Sequence, residues 1–470
     1  MYASMAQRVD KIHFVGIGGV GMCGIAEVLL NQGYQISGSD LRESVATGRL
    51  QQLGATIAIG HEAKHIAHCD VVVKSTAVTE DNPEIVAAKQ ARIPVVPRAG
   101  MLAGLMRFKD GIAIAGTHGK TTTTSLISSI LAEGELDPTY VIGGKLNSTD
   151  CNAYLGQSRY FVAEADESDA SFLYLTPNML VVTNIDDDHL ATYQHDFAKL
   201  QQTFVQFIQR LPFYGLAVLC LDDPVVKQIL PQITRPVITY GFDEQADVRV
   251  MDWQACGQQS QFSLVRAQQQ APLDITLNLS GQHNVLNAVA AITIATQLGV
   301  DDAAIQRALN KFAGIGRRFQ VTDDVLLGDK RVTLVDDYAH HPREIAATLQ
   351  AARQAWPDRR LKVVFQPHRY SRTQQLFDAF IDVLNQVDHV LLLDIFPANE
   401  TPIIGVTSEA LANAMMLRTQ QPVQVLIDAT QLCQTLADNV QTDDVVLMLG
   451  AGSIGRMAAQ LTQSLHAVKD

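Results

Sequence analysis

The chain has 470 residues, of which 47% are hydrophobic and 18% are charged, a balance typical of globular proteins and long enough for about three domains. Its formal net charge of -13 argues against nucleic-acid and anionic-membrane partners, since both require a basic face. The six cysteines are scattered, and no secretory signal or bilayer-length apolar run stands out, so we expect a cytoplasmic protein without membrane insertion.

Short apolar runs alternate with helical sequence and predict an α/β protein whose parallel sheets carry helices on both faces. MRFKDG (106–111) and GIGRRF (314–319) are interpreted as linkers, which gives domains 1–108, 109–314 and 315–470. The Gln-rich segment 243–279 predicts short antiparallel strands in a structural insert. The strand-like runs are KIHFVGIG at 11–18, GIAIAG at 111–116, RVTLVDDY at 331–338, LKVVFQ at 361–366, HVLLLDIF at 389–396 and DVVLMLG at 444–450.

The first glycine-rich motif, VGIGGVGMCG, follows the first strand and opens a helix. Gly16, Gly18 and Gly21 form a G-x-G-x-x-G pattern that includes Gly19, and Asp40 ends the next strand. The pattern predicts a pyrophosphate cradle for a dinucleotide or for a nucleotide-diphosphate sugar. The alternative is a purely structural tight turn.

VVVKSTAV, at 71–78, ends another strand in the same domain with small hydroxyl residues. Ser75 and Thr76 are therefore candidates for facing the ligand crevice, which lies at the carboxyl ends of such strands. An equally good interpretation is that they only cap the next helix.

The second glycine-rich motif, AGTHGKTTTT at 115–124, stands between an apolar strand and a helical run. It differs from the usual phosphate loop by one glycine, because Ile114 stands where the first would be. Lys120 is suited to neutralising phosphate charge and the Thr121 hydroxyl to binding Mg²⁺, whereas the alternative is a structural turn with a surface lysine. The predicted ATP-binding residues of the loop are Gly116, Thr117, His118, Gly119, Lys120, Thr121 and Thr122.

Two acidic segments follow later strands of the middle domain. FVAEADESD brings Glu164, and TNIDDDHL brings His189 with three aspartates. Carboxylates at strand ends suit Mg²⁺, which would let a carboxylate and a phosphate approach each other. Helix capping is the alternative, and it is the favoured interpretation for Asp166, Glu167 and Asp169.

Amides and cations mark the last third of the chain. GQHNVLNAVAA places Asn284 and Asn287 on one helix face, either to read an adenine edge or to cap the helix. Arginines at strand ends can clamp a carboxylate bidentately, although each could instead form a surface ion pair. LGAGSIG at 449–455 is interpreted as tight packing of a strand on a helix. The candidate residues from GIGRRF onward are Arg318, Asp337, Tyr338, His340, Arg369 and Arg372.

Taken together and in order, these motifs resemble the Mur ligase family over nearly the whole chain. The resemblance implies a Rossmann-like domain for a UDP-sugar, a P-loop-type ATPase domain, and a second Rossmann-like domain for the amino acid. The best-matching activity joins L-alanine to the carboxylate of UDP-N-acetylmuramate through an acyl phosphate, with ATP and Mg²⁺, in peptidoglycan precursor synthesis. Alternatives are a recycling ligase that adds a whole peptide, a nicotinamide-dependent oxidoreductase, and a non-catalytic nucleotide-binding regulator. A homodimer is possible.

The resemblance also implies residue roles. Lys120, Glu164 and His189 would be catalytic, and Thr121, Glu164 and His189 would hold the metal. Asn284, Asn287, Arg318 and Asp337 would join the phosphate loop in binding ATP. Gly16, Gly18, Gly19, Gly21, Asp40, Ser75 and Thr76 would bind the UDP-sugar, and Tyr338, His340, Arg369 and Arg372 the alanine.

Overall fold

The computed structural model describes residues 9–147, 151–267, 271–418 and 422–463. The chain divides into two compact units, one of residues 1–253, 262–276 and 286–312, the other of residues 254–261, 277–285 and 313–470. Three sheets with flanking helices confirm the predicted α/β class. The domain boundaries near 108 and 314 stay predictions.

The first sheet has five parallel strands in the order β3-β2-β1-β4-β5. Fully buried side chains such as Phe14 and Val73 fill its interior. The strand order reverses between β1 and β4, so the loops after these two strands open a crevice at their carboxyl ends. The elements are β1 Lys11–Val15, α1 Val20–Asn31, β2 Gln35–Asp40, α2 Val45–Gln52, β3 Thr56–Ile59, β4 Val71–Lys74, α3 Pro83–Gln90, β5 Val95–Pro97 and α4 Arg98–Met106.

The central sheet has ten strands in the order β15-β14-β13-β12-β11-β10-β6-β9-β7-β8. Strands β10 and β9 flank β6 in parallel, so the segments after all three end at one edge. The elements are β6 Asp110–Ala115, α5 Lys120–Glu133, β7 Thr139–Leu146, β8 Cys151–Tyr154, β9 Tyr160–Glu164, β10 Met179–Val182, α6 Phe197–Gln209, β11 Leu216–Cys220, α7 Pro224–Ile229, β12 Val237–Gly241, β13 Val248–Cys256, β14 Gln259–Arg266, β15 Leu273–Leu277, α8 Gln282–Gln297 and α9 Asp302–Asn310.

The third sheet has six strands in the order β16-β17-β21-β18-β19-β20, and only its β16–β17 pairing is antiparallel. Its strands β18 and β21 are buried along their whole length, as continuous apolar runs predict. The elements are β16 Gln320–Leu327, β17 Lys330–Asp337, α10 Pro342–Ala355, β18 Leu361–Phe365, α11 Tyr370–Gln375, α12 Phe377–Leu384, β19 His389–Leu393, α13 Ser408–Arg418, β20 Val423–Leu426, α14 Leu432–Asn439, β21 Val445–Leu449 and α15 Ile454–Gln463.

All six strand-like runs of the sequence are strands in the structure. The segment 243–279 contains three strands that extend one edge of the central sheet, and residues 268–270 within it lie outside the described residues. Five short 3₁₀ helices complete the described elements, at Ala63–Ile66, Ser171–Tyr174, Leu190–Tyr193, Leu230–Gln232 and Ala429–Gln431. Across the described residues, none of the helices has the length and apolar character that crossing a membrane requires.

Candidate functional site

The phosphate loop runs from the end of β6 to the start of α5 and has a backbone that requires glycine. Gly116 has φ +129°, and a Cβ there would lie 2.0 Å from Thr183 Oγ1. Gly119 has φ +83°, in the left-handed region that favours glycine. The His118 N–H donates to Asn184 Oδ1 at 2.8 Å, and the His118 carbonyl accepts from Thr183 Oγ1 at 2.6 Å. The segment after β10 therefore fixes the loop.

The Lys120 ammonium group is held inside this loop. Its Nζ donates to the Gly116 and Thr117 carbonyls, at 2.6 and 3.1 Å, and lies 2.9 and 2.8 Å from the two carboxylate oxygens of Glu167. Burial lowers the pKa of Lys120, but the charges of Glu167, Asp166 and Glu164 outweigh burial and raise this pKa above its ordinary value. Burial raises the pKa of Glu167 to about 7, against the opposing charge of Lys120. The capping interpretation of Glu167 is therefore wrong.

The two neighbouring aspartates form local turn bonds rather than helix caps, because Ala170 is the N-cap residue of the 3₁₀ helix Ser171–Tyr174 and that helix has no side-chain capping bond. Asp166 Oδ1 accepts the Ser168 N–H at 3.0 Å, and Asp169 Oδ1 accepts the Ser171 N–H at 2.9 Å. Asp166 has a second partner, Arg98 Nη2, at 3.1 Å. The acidic segment thus combines local turn bonds with two long-range ion pairs.

The three predicted metal residues follow β6, β9 and β10. Thr121 is buried in the first turn of α5. Glu164 ends β9 opposite Ile114 of β6, and its Oε1 accepts the Gly143 N–H at 2.6 Å. His189 has φ +58°, and its Nε2 lies 3.5 Å from Asp188 Oδ2. Their shared edge of the sheet is the arrangement that metal-assisted phosphate chemistry needs.

The first glycine-rich loop is anchored by β2. The Gly16 and Ile17 N–H groups both donate to the Ser39 carbonyl, at 2.9 and 3.0 Å. The Gly18 N–H donates to Asp40 Oδ2 at 2.9 Å, so this carboxylate has one oxygen engaged with the loop. Gly19 is the N-cap residue of α1 and offers no side-chain capping bond. The loop therefore presents backbone groups at a helix N-terminus, as an anion site requires.

Ser75 closes the other side of this crevice. Its Cβ lies 3.2 Å from the position that a Cβ on Gly16, at φ +79°, would take. Thr76 is exposed beside it. The alternative that these hydroxyls cap the next helix is wrong, because Asn82 caps α3 by accepting the Glu84 N–H at 2.9 Å.

The two asparagines of α8 have buried side chains. Asn284 Nδ2 donates to the Ser280 carbonyl at 2.8 Å, whereas a side chain that caps a helix start accepts a backbone N–H. Asn287 Oδ1 accepts from Thr123 Oγ1 at 3.2 Å. A Cβ on Gly119 would lie 2.5 Å from the same Oδ1, so Asn287 packs against the phosphate loop. Contact of either amide with adenine stays a prediction.

In the second unit, the turn after β17 is organised by Asp337. Its two oxygens accept the Phe319 and Ala339 N–H groups at 2.6 and 2.7 Å, and burial raises its pKa. The Arg318 guanidinium lies 4.9 Å from the centre of the Tyr338 ring. A direct role of Arg318 or Asp337 in ATP binding stays a prediction.

Aromatic and cationic side chains meet beside this turn. The ring centres of Tyr338 and His340 are 5.3 Å apart, and those of His340 and His368 are 5.6 Å apart. Burial, together with the charges of His340, Arg372 and Arg369, lowers the pKa of His368 to about 3. Arg372 is buried, whereas Arg369 is exposed. This positive field is suited to binding a carboxylate.

Comparisons with known proteins agree across the whole chain. Three family models match it: Mur ligase family, catalytic domain, over residues 11–110; Mur ligase middle domain, over 114–295; and Mur ligase, glutamate ligase domain, over 317–452. A UDP-N-acetylmuramate–L-alanine ligase of Methylococcus capsulatus is 57% identical over 459 residues, which cover 98% of this chain and 97% of that protein. The enzyme of the same name from Legionella pneumophila is 57% identical over 97% of both chains.

The chain belongs to the Mur ligase family.

Solved structures of Mur ligases have the same fold. The UDP-N-acetylmuramate-alanine ligase of Thermotoga maritima has a TM-score of 0.82 and 28% identity, with 97% of this chain and 99% of that chain covered. A murein peptide ligase of Psychrobacter arcticus has a TM-score of 0.72 and 26% identity, with 97% and 98% covered. The three-sheet architecture that the sequence predicted is therefore that of the Mur ligases.

Three features of this Mur ligase chain were missed by sequence reasoning. They are the Lys120–Glu167 pair, the Arg98–Asp166 pair, and a buried Glu84 that His61 and His65 contact. Arg98 had a local signal, since it directly follows β5 at the start of a helix. The partners of Glu84 come from separate elements, and no local pattern marks them.

Proposed function

We propose that this Mur ligase joins L-alanine to the carboxylate of UDP-N-acetylmuramate at the expense of ATP. The observation that best supports this proposal is the 57% identity, over 98% of this chain, to a UDP-N-acetylmuramate–L-alanine ligase. The chain also keeps a phosphate loop whose glycines cannot be replaced without strain. The solved UDP-N-acetylmuramate-alanine ligase has a TM-score of 0.82 and the murein peptide ligase one of 0.72, which favours the single amino acid over a whole peptide as the second substrate. The product belongs to peptidoglycan precursor synthesis.

In this proposal the sugar nucleotide lies against Gly16, Gly18, Gly19, Gly21, Asp40, Ser75 and Thr76. The N–H groups at the start of α1 would face its diphosphate, where the helix field favours negative charge. The free Asp40 oxygen would accept a ribose hydroxyl. This binding would hold the muramyl carboxylate for attack on ATP.

ATP would occupy the loop Gly116–Thr122. The muramyl carboxylate attacks the γ-phosphorus, the bond to the β-phosphate oxygen breaks, and an acyl phosphate and ADP result. The three N–H donors of Lys120 are engaged by two loop carbonyls and by Glu167. To neutralise the γ-phosphate, Lys120 would therefore leave Glu167. Most of the rate enhancement would come from positioning and charge neutralisation, as in other phosphoryl transfers.

Mg²⁺ is the cofactor that the donor set fits. Thr121 and Glu164 offer the oxygen ligands that Mg²⁺ prefers. Glu164 accepts one hydrogen bond from the Gly143 N–H and has further lone pairs that could bind a metal ion. His189 would complete the metal side at the end of the next strand. When bound, the ion would offset the repulsion between carboxylate and phosphate. Asn284, Asn287, Arg318 and Asp337 would complete the ATP site.

L-Alanine would bind to the second unit through Tyr338, His340, Arg369 and Arg372. The arginines would hold its carboxylate and leave the amine free. The amine then attacks the acyl carbon, loses a proton, and expels phosphate. His368 would remain uncharged, because burial and the surrounding positive charges lower its pKa to about 3, so it would add no cation to this pocket.

The test is phosphate release with ATP, Mg²⁺, UDP-N-acetylmuramate and each amino acid in turn. We expect release with L-alanine and formation of UDP-N-acetylmuramoyl-L-alanine. In a competition with the tripeptide L-alanyl-γ-D-glutamyl-meso-diaminopimelate, preference for the tripeptide would establish the recycling activity instead. Absence of release with every acceptor, together with a change in nicotinamide absorbance, would establish an oxidoreductase.

A further inference from the structure

Arg98 lies between the first glycine-rich motif and the acidic segment that follows β9. It begins α4 directly after β5, and its side chain is 18% exposed. A Cβ on Gly21, in the first turn of α1, would lie 3.0 Å from Nη1 and 3.1 Å from Cδ of this arginine. The other end of the guanidinium, Nη2, donates to Asp166 Oδ2 at 3.1 Å. One side chain thus touches both the predicted sugar-nucleotide loop and the acidic segment of the ATP site.

The guanidinium has unused binding capacity. Within the described part of the chain, the bond to Asp166 is its only hydrogen bond, whereas a guanidinium carries five N–H donors. The edge beside Gly21 can therefore donate to an anion in the glycine loop. Arginine is suited to this task because its planar fork bonds two oxygens of a phosphate or carboxylate at once.

The partner of Arg98 belongs to the segment that carries the phosphate-loop chemistry. Asp166 is adjacent to Glu167, which pairs with Lys120, and it lies two residues after Glu164. Asp166 also caps its own turn through Ser168, so its position sets the course of the backbone there. Fixing Asp166 therefore restrains the segment 164–167 relative to the phosphate loop.

A further contact joins α1 to the central sheet. Asn152 Nδ2 donates to the Val20 carbonyl at 3.2 Å, and a Cβ on Gly24 would lie 3.3 Å from the Ala153 Cβ. The first turns of α1 therefore rest against β8. A ligand at the N-terminus of α1 would bind to a helix that already contacts the sheet that carries the phosphate loop.

We infer that Arg98 donates to an anionic oxygen of the sugar nucleotide and, through Asp166, couples its binding to ordering of the segment 164–167 at the ATP site. This inference rests on the proposed function. Binding of the sugar nucleotide restrains Arg98, and the restrained arginine holds Asp166. ATP then binds to a segment that is already ordered, which produces positive coupling between the two substrates.

The experiment measures two dissociation constants by calorimetry on the full chain with Mg²⁺. The first is that of UDP-N-acetylmuramate, and the second that of the non-hydrolysable analogue AMP-PNP, with and without UDP-N-acetylmuramate. In the unaltered protein we expect the sugar nucleotide to tighten AMP-PNP binding about fivefold or more, a typical coupling. Absence of any such coupling overturns the inference.

The variants separate the two ends of Arg98. Arg98→Ala should weaken UDP-N-acetylmuramate about tenfold or more, the loss expected for a charge-assisted hydrogen bond, and abolish the coupling while AMP-PNP alone binds as before. Arg98→Lys should restore part of the sugar-nucleotide affinity. Asp166→Asn should retain that affinity and lose the coupling. A purely structural arginine would weaken both ligands and leave their coupling ratio unchanged, which overturns the inference.

Arg159→Ala is the matched control. Arg159 also forms an ion pair with an aspartate, Asp110, but it is 73% exposed and lies at the amino ends of β6 and β9. It should leave both affinities and the coupling unchanged. Loss of coupling in Arg159→Ala as well as in Arg98→Ala would point to a general effect of removing an ion pair and would overturn the inference.

Two further ligands identify the anionic group. UDP and UDP-N-acetylglucosamine carry the diphosphate but no muramyl carboxylate. A loss in Arg98→Ala that all three ligands share assigns the contact to the diphosphate, and a loss confined to UDP-N-acetylmuramate assigns it to the carboxylate. Either result supports the inference. The proposed function is tested separately by product formation in the unaltered protein, which could fail while the coupling persists.

Discussion

Two buried glutamates, one near each glycine-rich loop, differ in the direction of their pKa shifts. Glu84, on α3, is fully buried, and its pKa is lowered to about 2. Glu167, after β9, is equally inaccessible to solvent, and its pKa is raised to about 7. Burial alone therefore does not decide the state of a carboxylate in this molecule.

Glu84 is surrounded by hydrogen-bond donors. Burial opposes its ionisation, but the close approach of His13, whose Nε2 lies 3.6 Å from Oε2, and the bonds from Ser39 and His65 outweigh it. The Ser39 hydroxyl lies 2.6 Å from Oε2, His65 Nδ1 lies 2.6 Å from Oε1, and His61 adds a contact at 3.3 Å. The Ser39 carbonyl accepts the first two N–H groups of the glycine loop, so the cluster around Glu84 also helps to hold this loop in place.

Glu167 depends on a single cation. Lys120 is its partner through both oxygens, and the nearby charge of Asp166 disfavours its ionised form. In the proposed reaction Lys120 leaves for the γ-phosphate. Glu84, whose charge is satisfied by several hydrogen bonds, therefore belongs to the scaffold, the part of the molecule with a structural role. Glu167, whose charge is only partly neutralised, lies in the working site, where the reaction is proposed to occur, as groups with a perturbed pKa often do.

The largest expected effect comes from removing the cation of Glu167. Lys120→Met should lower alanine-dependent phosphate release by about a thousandfold or more, since one mobile charge on the γ-phosphate is lost. Glu167, with a pKa already raised, would take up a proton, so the protein should remain folded by circular dichroism. Near-normal phosphate release from Lys120→Met would show that the pair is scaffold like the Glu84 cluster.

The second expected effect is on stability. Here Glu84 should matter more than Glu167, the reverse of their expected importance for activity. Glu84→Ala leaves His13, His61 and His65 without their acceptor and should cost about 3–5 kcal/mol, the range for breaking a buried ionic network. Glu167→Gln should cost about 1 kcal/mol or less, because Lys120 keeps two carbonyl acceptors.

Thermal unfolding compares the two variants, and amide exchange of Gly16 and Ile17 localises the Glu84 effect to the first loop. Glu84→Gln, which preserves shape, should lie between the two. Equal costs for the two glutamates would remove the distinction between scaffold and working site.

Local chemistry explains which parts of this contrast the sequence could predict. The position of Asp40 at a strand end follows from nearby residues and is confirmed. The helical run predicted after the phosphate loop is also present, but the helix begins earlier, at Lys120 within the motif. Glu167 was misinterpreted because its partner lies 47 residues away. The groups around Glu84 come from β1, β2 and the segment after β3, and only tertiary packing brings them together.

Some errors were avoidable. Ser75 and Thr76 were considered as helix caps, yet the Asn82-Pro83 pair is a strong local signal for a helix start and is the cap in the structure. The packing interpretation of LGAGSIG agrees with the structure, where a Cβ on Gly450 would lie 3.1 Å from Cγ2 of Ile454, the first residue of α15. Arg98 could have been noted as a cation at a strand end, but its contact with Asp166 could not have been predicted.

A third prediction uses pH to separate the two carboxylates. The ordinary glutamate pKa is 4.5, so the lowered pKa of Glu84 stabilises the fold fully above pH 4.5, and this contribution is lost as the pH falls toward 2. The raised pKa of Glu167 has the opposite sign: its contribution is present below pH 4.5 and is lost as the pH rises toward 7.

Two differences in unfolding temperature are measured from pH 3 upward. The first is that between the unaltered protein and Glu84→Gln, and the second is that between the unaltered protein and Glu167→Gln. The first difference should shrink toward acid, by an amount equivalent to about 1.5–3 kcal/mol, the range for hydrogen bonds to a charged group. The second should shrink between pH 4.5 and 7. Parallel curves would mean that both carboxylates have the same environment.

The smallest effect concerns how Glu84 is placed. Asn82 caps α3 and Pro83 occupies its first turn, so the helix start fixes the backbone from which Glu84 reaches Ser39. Asn82→Ala should cost about 1 kcal/mol, a typical cap loss, and Asn82→Asp should retain most of the stability. Because the cap acts on Glu84 rather than on substrate, the ligation rate with saturating substrates should stay within about twofold. A large loss of rate with unchanged stability would mean that this end of α3 belongs to the working site, and the contrast between the two glutamates would then be one of degree.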